Sequence, residues 1–220
     1  MNGGSGTEVW AAGEAYEQYV GRWSRPVAEG FLDWLEVAPG RQWLDVGCGT
    51  GALSGTILRR AQPAGVTGLD PSEAFLARAR EQLQDQRAAF DHGDAQALPY
   101  HDRRFDVAVS GLVLSFVPDQ AKMVGEMRRV VRPGGAIALY VWDYAGRMEL
   151  MRHFWDAAAA LDPAAGSLDQ GMRFPVCRPR PLAELLRRQA TAARSRRNSG
   201  QGCASACGRP CPQIRMAGSL

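Results

Sequence analysis

The segment LDVGCGTG at residues 44–51 joins a short apolar run to three glycines, Gly47, Gly49 and Gly51. Glycine adopts the positive φ angles of a tight bend and lets a ligand approach the backbone closely. The apolar residues before the bend predict a buried strand, and the pattern after it predicts a helix whose N-terminus offers free N–H groups. The sequence therefore indicates a strand–loop–helix unit with a ligand-binding bend.

Strands and helices alternate along the chain on both sides of this unit. After one or two lead-in helices, broken near Gly21 and Pro26, the apolar patterns predict five strands and three helices. The strands are expected at residues 42–46, 65–69, 89–92, 105–116 and 136–142, and the helices at 52–60, 72–87 and 119–131. Such alternation is typical of an α/β fold with a doubly wound, mostly parallel, Rossmann-like sheet. Sheets of this kind bind ligands at the carboxyl ends of their strands.

Two acids at strand ends bear on the identity of the ligand. The pattern Gly47-x-Gly49-x-x-Ala52, with Asp70 lying 19 residues after Gly51, also fits a dinucleotide site, so an NAD(P)-dependent oxidoreductase is one alternative. Asp45, however, would repel a pyrophosphate directly before the bend and would attract an ammonium group. An amino acid conjugate of adenosine, such as S-adenosylmethionine, therefore suits the segment better.

Four segments resemble, in order and spacing, the motifs of class I S-adenosylmethionine-dependent methyltransferases. They are LDVGCGTG at 44–51, VTGLDPS at 66–72, GDAQALPY at 93–100 and VVRPGG at 130–135. The lead-in YEQYVGRWSRPVAEGFLDWL also resembles bacterial small-molecule members related to the quinone-biosynthesis methyltransferases. The resemblance covers roughly residues 10–185 and implies the Rossmann-like methyltransferase fold, S-adenosylmethionine as cofactor, and methyl transfer as the reaction.

The resemblance also implies roles for the residues at matching positions. Asp45 would contact the methionine amino group, and Asp70 would accept hydrogen bonds from the ribose hydroxyls. The remaining cofactor-binding positions are Gly47, Cys48, Gly49 and Gly51 in the loop, Pro71, Ser72, Asp94 and Ala95 around the adenine, and Ser110, Gly111 and Leu112 near the methionine. Cys48 is interpreted as a small loop residue and not as a nucleophile.

The catalytic residues and the methyl acceptor are less constrained by the sequence. Methyl transfer from a sulfonium needs alignment of the acceptor, and a general base is optional. Candidate bases are His101, His153, Tyr16 and Tyr19, each of which is equally compatible with a surface or packing role. The expected acceptor is a small, partly apolar molecule, because no Pro-Pro-Tyr-type motif of nucleic-acid amino methyltransferases follows the fourth strand; methylation at oxygen, carbon or nitrogen stays open.

Charge and cysteine distribution set the last part of the chain apart. Residues 187–220 contain seven of the 26 Lys and Arg residues and no Asp or Glu, so residues 1–186 carry 19 basic against 23 acidic side chains. This mildly acidic body gives no support to nucleic-acid binding. Cys203, Cys207 and Cys211 lack a nearby fourth ligand, and no metal site is predicted. With no apolar stretch of about 18 residues and no signal peptide, a cytoplasmic protein without a membrane partner is expected.

The predicted organisation has three parts: lead-in helices at residues 1–40, a cofactor-binding domain at 41–186, and a basic, disordered tail at 187–220. The tail shows no strand pattern, so the sheet is expected to lack the family's last two strands and to leave the fifth strand with an unpaired edge. Its composition is that of GC-rich coding sequence read out of frame. One alternative function is therefore an inactive cofactor-binding remnant, and another interpretation is a basic tail that binds an acidic partner.

Overall fold

The computed structural model describes residues 22–198 and 213–216 of the 220-residue chain. Six strands form one sheet: β1 Gln42–Val46, β2 Gly65–Asp70, β3 Ala88–His92, β4 Phe105–Gly111, β5 Val131–Tyr140 and β6 Gln213–Met216. The helices are α1 Arg22–Leu35, α2 Ala52–Arg60, α3 Glu73–Gln82, α4 Gln120–Val130, α5 Glu149–Leu161, the short α6 Gln170–Arg173 and α7 Pro179–Asn198. None of the helices within these described ranges is long and apolar enough to cross a membrane.

The strand order is β3-β2-β1-β4-β5-β6, and every neighbouring pair is parallel. This order confirms the predicted doubly wound α/β sheet. The chain builds outward from β1 through β2 to β3, and then returns to place β4 on the other side of β1. The order therefore reverses between β1 and β4, and the carboxyl ends of these two strands border a crevice of the kind in which doubly wound sheets bind ligands.

Apolar side chains cover both faces of the sheet. On one face, α1 and α2 pack their apolar residues against Trp43 of β1 and the alternate residues of β4. On the other face, α4 and α7 pack against Leu44 and Val46 of β1 and against Ile137 of β5. Because side chains alternate across a strand, each central strand contributes to both cores. Burial on two faces holds the carboxyl edge of the sheet in a fixed shape.

Several element boundaries differ from the sequence-based prediction. β4 ends at Gly111, not at residue 116, because Leu112 takes a positive φ of 64° and a short 3-10 turn follows at Leu114–Phe116. Helix α1 passes through Pro26 without a break. The N–H that proline lacks would bond to the carbonyl of Arg22, the first residue of the helix, so only one terminal hydrogen bond is lost.

The C-terminal part differs most from the prediction. Helix α7 continues through the predicted tail boundary at residue 187 to Asn198, so residues 187–198 are helical and the expectation of disorder there is wrong. Residues 213–216 form β6, which pairs with Ala136–Leu139 of β5, so the expected unpaired edge is also wrong. The sequence QIRM alternates polar and apolar side chains, but at four residues it is the shortest run that predicts a strand, and the sequence-based prediction omitted it. In the described part of the chain, all strands are parallel.

Candidate functional site

The glycine-rich loop lies at the carboxyl edge of the sheet, between β1 and α2. Gly47, Gly49 and Gly51 all have positive φ angles, of 74°, 54° and 90°. The end of β2 holds the loop in place: the Gly47 N–H donates to the Leu69 carbonyl at 2.7 Å, and the Gly49 N–H donates to Oδ2 of Asp70 at 2.9 Å. The loop is thus an ordered bend that depends on glycine and is fixed from the neighbouring strand.

The three glycines differ in what surrounds them. A Cβ added at Gly47 would lie 2.5 Å from the methyl groups of Val113, and one at Gly51 would lie 2.7 Å from Cδ1 of Leu83. A Cβ at Gly49 would meet no atom within 4 Å. Gly47 and Gly51 are therefore required by packing as well as by the bend, whereas Gly49 borders open space above the loop.

Asp45, the penultimate residue of β1, lies beneath this loop and is 1% exposed. The hydroxyl of Ser54, in the first turn of α2, donates to Oδ2 of Asp45 at 2.7 Å. The other oxygen, Oδ1, is buried and has no hydrogen-bond partner among the residues that the structure describes. Burial and the neighbouring charge of Asp70 raise the pKa of Asp45 to about 7, against the effect of the Ser54 hydrogen bond. The site thus contains a buried acceptor atom without a donor.

Asp70 closes β2 and is the second acid of the site. Its Oδ2 accepts from the Gly49 N–H and its Oδ1 accepts from the Ser72 N–H, both at 2.9 Å. Burial raises the pKa of Asp70, while these two N–H donors and the charge of His92 lower it. Asp45 and Asp70 together make the carboxyl edge of β1 and β2 negative. A negative edge attracts a cation and opposes a pyrophosphate.

Residues after β2 and β3 form the flank of the site. Ser72 is the N-cap of α3, where its side chain accepts from the Phe75 N–H, and the ring of His92 hydrogen-bonds the Pro71 carbonyl at 3.1 Å. Asp94 is exposed, and its Oδ1 accepts from the Gln96 N–H at 2.8 Å, which helps to lower the pKa of Asp94. The neighbouring Ala95 is buried in the core.

The end of β4 forms the other flank, beside the end of β1. The buried Ser110 hydroxyl donates to the Val46 carbonyl at 2.8 Å and so joins the two strands at the crevice. The Leu112 N–H donates to the Tyr140 carbonyl at 2.9 Å. Gly111 faces Tyr140 so closely that an added Cβ would lie 2.4 Å from the phenol oxygen. These residues shape the wall of the crevice. The Ser110 hydroxyl donates its proton within this wall, to the Val46 carbonyl.

Cys48 is buried in the loop between Leu76, Ala79 and Phe90. Burial, together with the charges of Asp45 and Asp70, raises the pKa of the Cys48 thiol well above its usual value. Because the thiolate is the nucleophilic form, this environment opposes covalent chemistry at Cys48. The geometry is that of a small packing residue in the loop.

The two candidate bases that the structure describes lie on different segments of the chain. His101 lies in the exposed loop before β4, at the amino edge of the sheet, and His153 is exposed on α5. Tyr16 and Tyr19 lie outside the described residues, as do Cys203, Cys207 and Cys211. Within residues 22–198 and 213–216, no group of three or more His, Cys, Asp or Glu side chains is placed to hold a metal ion.

Sequence reasoning missed two features of the site. The first is Ser54, whose only signal is a hydroxyl in the first turn of the helix that follows the loop. The second is an aromatic group contributed by the segments after β4 and β5. The Phe116 and Tyr144 rings both contact the Phe174 ring, at centroid distances of 5.8 Å and 5.7 Å, and Phe116 is 56% exposed. No spacing in the sequence indicates this group, because the three residues come from separate segments.

Comparison with known proteins finds a matching domain and similar sequences. A family profile described as a methyltransferase domain matches residues 44–139, from β1 into β5. A demethylmenaquinone methyltransferase from Bacillus mycoides is 40% identical over 110 residues, which is 47% of this chain and 45% of that protein. The chain spans less than half the length of the curated relatives it matches.

Solved structures share the architecture. A proposed S-adenosyl-L-methionine-dependent methyltransferase from Methanococcus maripaludis superposes with a TM-score of 0.62 at 18% identity, over 88% of this chain and 87% of that one. The (4+2)-cyclase SpnF superposes with a TM-score of 0.57 at 26% identity, over 75% of this chain and 56% of that one. The profile match shows a methyltransferase domain at residues 44–139, whose sequence is similar to that of demethylmenaquinone methyltransferases. The superpositions show that the chain shares the fold of these solved structures.

Proposed function

We propose that the chain binds S-adenosylmethionine at the carboxyl edge of β1, β2 and β4 and transfers the methyl group to a small-molecule acceptor. The observation that carries this proposal is the buried Oδ1 of Asp45, which has no donor among the described residues. A buried polar atom without a partner costs free energy on the order of 1–3 kcal/mol or more. An ammonium group of a ligand would supply the donor and the compensating charge.

The other residues fit the rest of such a ligand. Asp70 already orients its carboxylate through two backbone N–H groups. Each carboxylate oxygen can accept a further hydrogen bond, so ribose hydroxyls can donate to Asp70 without displacing these contacts. The open space beside Gly49 would take the sugar and the methionine chain. The remaining proposed cofactor contacts are Gly47, Cys48, Gly51, Pro71, Ser72, Asp94, Ala95, Ser110, Gly111 and Leu112.

Methyl transfer requires the protein mainly to bind and orient the two reactants. S-adenosylmethionine supplies a methyl group that its positive sulfur already activates for displacement. The chain's own residues would hold the ligand at both ends, through Asp45 and Asp70, and would exclude water from the crevice with the walls of β4 and β5. No catalytic residue is assigned, because a general base is optional in this reaction.

The acceptor is proposed to be a small, partly apolar molecule, such as a quinol or phenol. The related proteins include enzymes named demethylmenaquinone methyltransferases. Phe116 follows the carboxyl end of β4, Tyr144 follows that of β5, and both rings contact the ring of Phe174. These rings would pack against a flat apolar acceptor.

Two other functions make different predictions. An oxidoreductase would bind NAD(P), but the paired charges of Asp45 and Asp70 oppose its pyrophosphate. A cofactor-binding remnant would bind S-adenosylmethionine without transferring the methyl group, and the similarity to a cyclase is a reminder that one fold supports several reactions.

The test is a transfer assay with S-adenosylmethionine labelled in its methyl group, incubated with the full chain and a panel of small quinols, phenols and amines. We expect labelled product with at least one quinol or phenol, loss of that product in Asp45→Asn, and no loss in Asp102→Asn, a matched exposed acid at the amino edge. Binding of S-adenosylhomocysteine with no labelled product from any acceptor would instead favour the remnant.

A further inference from the structure

The two carboxylate oxygens of Asp45 differ in their hydrogen-bond partners. Oδ2 accepts from the Ser54 hydroxyl at 2.7 Å, whereas Oδ1 is buried without a hydrogen-bond partner in the described part of the chain. The residue is 1% exposed, so bulk solvent has little access to this oxygen. A carboxylate in such a place is disfavoured in its charged form relative to its neutral form.

The groups that face Asp45 add to this effect. β2 contributes the negative charge of Asp70, which raises the pKa of Asp45, and the loop contributes the neutral thiol of Cys48. α2 contributes the uncharged Ser54, and β4 places Val109 opposite Asp45 in register. The positive charge of His92 acts on Asp70, and that of Arg80 acts on Cys48. No cation among the described residues affects the pKa of Asp45.

In contrast to Asp45, Asp70 has a hydrogen-bond donor for each of its two carboxylate oxygens. Both of its oxygens accept backbone N–H groups, from Gly49 and Ser72, and such donors stabilise the charged carboxylate. Among the described residues, charged Asp45 is stabilised by Ser54 alone, mainly through its hydroxyl and less through its backbone, and burial with the charge of Asp70 raises the pKa of Asp45 to about 7. Where the two neighbouring acids share one proton, that proton therefore resides on Asp45, and Asp70 carries the charge.

We propose that at mildly acidic pH Asp45 holds a proton when no cofactor is bound, and that the amino group of S-adenosylmethionine or S-adenosylhomocysteine expels this proton on binding. The inference rests on the proposed function. The O–H bond of Asp45 breaks, the proton passes to the solvent buffer, and the ligand ammonium donates to the resulting carboxylate at Oδ1. No electron transfer is involved. Only the amino acid end of the ligand is coupled to the proton, because its adenosine end contacts Asp70.

The direction of the pH dependence follows from this exchange. Above pH 7, Asp45 is already charged and the ligand binds without releasing a proton. Below pH 7, the proton must leave first, so the affinity for an ammonium-bearing ligand falls by up to about tenfold for each pH unit. A ligand with the adenosine part but no amino group would not show this loss.

Calorimetry with two ligands tests the proposal on the full chain. S-adenosylhomocysteine has the amino acid group, whereas 5′-methylthioadenosine has the adenosine and the sulfur but no amino group. Titrations at pH 6.0 in buffers of different ionisation enthalpy report the number of protons released. We expect release of about one proton with S-adenosylhomocysteine, decreasing as the pH rises through 7, and none with 5′-methylthioadenosine.

Two variants locate the proton. Ser54→Ala removes the hydroxyl hydrogen bond that stabilises charged Asp45 and keeps the smaller contribution of the Ser54 backbone, so proton release should persist to higher pH than in the parent protein. Asp45→Asn should release no proton with either ligand. Equal proton release with both ligands, or S-adenosylhomocysteine binding at pH 6.0 with no release, would overturn the proposal while leaving the cofactor assignment intact. No binding of S-adenosylhomocysteine at any pH would refute the cofactor assignment and this inference together.

Discussion

Asp70 links the glycine loop to the neighbouring strand and faces the space proposed for the ribose. Replacing Asp70 with Ala removes the acceptor for the Gly49 N–H and for the ligand hydroxyls. A lost hydrogen bond to a charged group costs about 1.5–3 kcal/mol, so we expect S-adenosylhomocysteine affinity to fall by roughly 10-fold to 150-fold. Isothermal titration calorimetry measures this change.

The matched control for that measurement is Asp102→Ala. Asp102 is an exposed acid in the loop before β4, where its carboxylate pairs with Arg129 at 3.0 Å. Its loss should leave ligand affinity unchanged, because surface pairs contribute little and the residue lies at the opposite edge of the sheet. Unchanged affinity in Asp70→Ala would remove Asp70 from the site.

Gly49 offers a second test at the scale of single residues. Gly49→Val places a branched side chain on a residue with φ of 54° and into open space beside the proposed ligand. We expect about 1–2 kcal/mol of strain, a largely intact fold and loss of S-adenosylhomocysteine binding. Thermal melting and calorimetry on the same sample separate the two effects.

Gly40→Val is the control for strain, since Gly40 has φ of 76° and equally open space but lies in the turn before β1. The two variants should lose similar stability, and only Gly49→Val should lose binding. Normal ligand binding by Gly49→Val would show that the loop does not contact the ligand.

The identity of the main site residues could be predicted from sequence, whereas their electrostatic state could not. Asp45 and Asp70 stand at the ends of apolar runs, so the topology of a parallel sheet brings them to one edge. Which oxygen of Asp45 lacks a partner depends on the side chains that reach the carboxylate, and among the described residues Ser54 reaches it, at Oδ2. That contact joins a strand to a helix and has no signature in spacing.

At the scale of elements, β6 is the feature with the largest consequence for stability. It covers Ala136–Leu139 of β5, which otherwise forms the edge of the sheet. A chain ending after Asn198 retains α7 and loses β6. We expect this chain to melt several degrees lower and to self-associate, because an exposed apolar strand edge pairs with other chains.

A chain ending after Met216 retains β6 and serves as the control for removal of the terminus. Differential scanning calorimetry and light scattering on both chains measure melting and association. Equal melting temperatures and equal monomer fractions in the two chains would show that β6 contributes nothing to the stability of the sheet.

The elements that sequence reasoning placed well are those fixed by side-chain pattern. β1 and the helix face of α4 follow directly from apolar spacing, and Ser72 at the start of the predicted helix is the N-cap of α3. The end of β4 was misplaced because Leu112 and the residues after it are as apolar as a strand, yet the positive φ of Leu112 turns the chain. Apolar composition predicts that these residues are buried, but it does not predict the φ angle of Leu112, which ends β4.

At the scale of the whole molecule, the topology and the charge of the carboxyl edge together select the ligand. The strand order reverses between β1 and β4, which opens the crevice, and Asp45 and Asp70 make its floor negative. An adenosine derivative with a positive amino acid end satisfies both features, whereas a dinucleotide satisfies only the first. The crevice is therefore complementary to an adenosine derivative with a cationic amino acid end.

Parallel calorimetric titrations of the full chain with S-adenosylhomocysteine and with NAD test that claim most directly. We expect saturable one-to-one binding of S-adenosylhomocysteine at pH 7.5 and no measurable heat of binding with NAD. Saturable binding of NAD together with no binding of S-adenosylhomocysteine would contradict it.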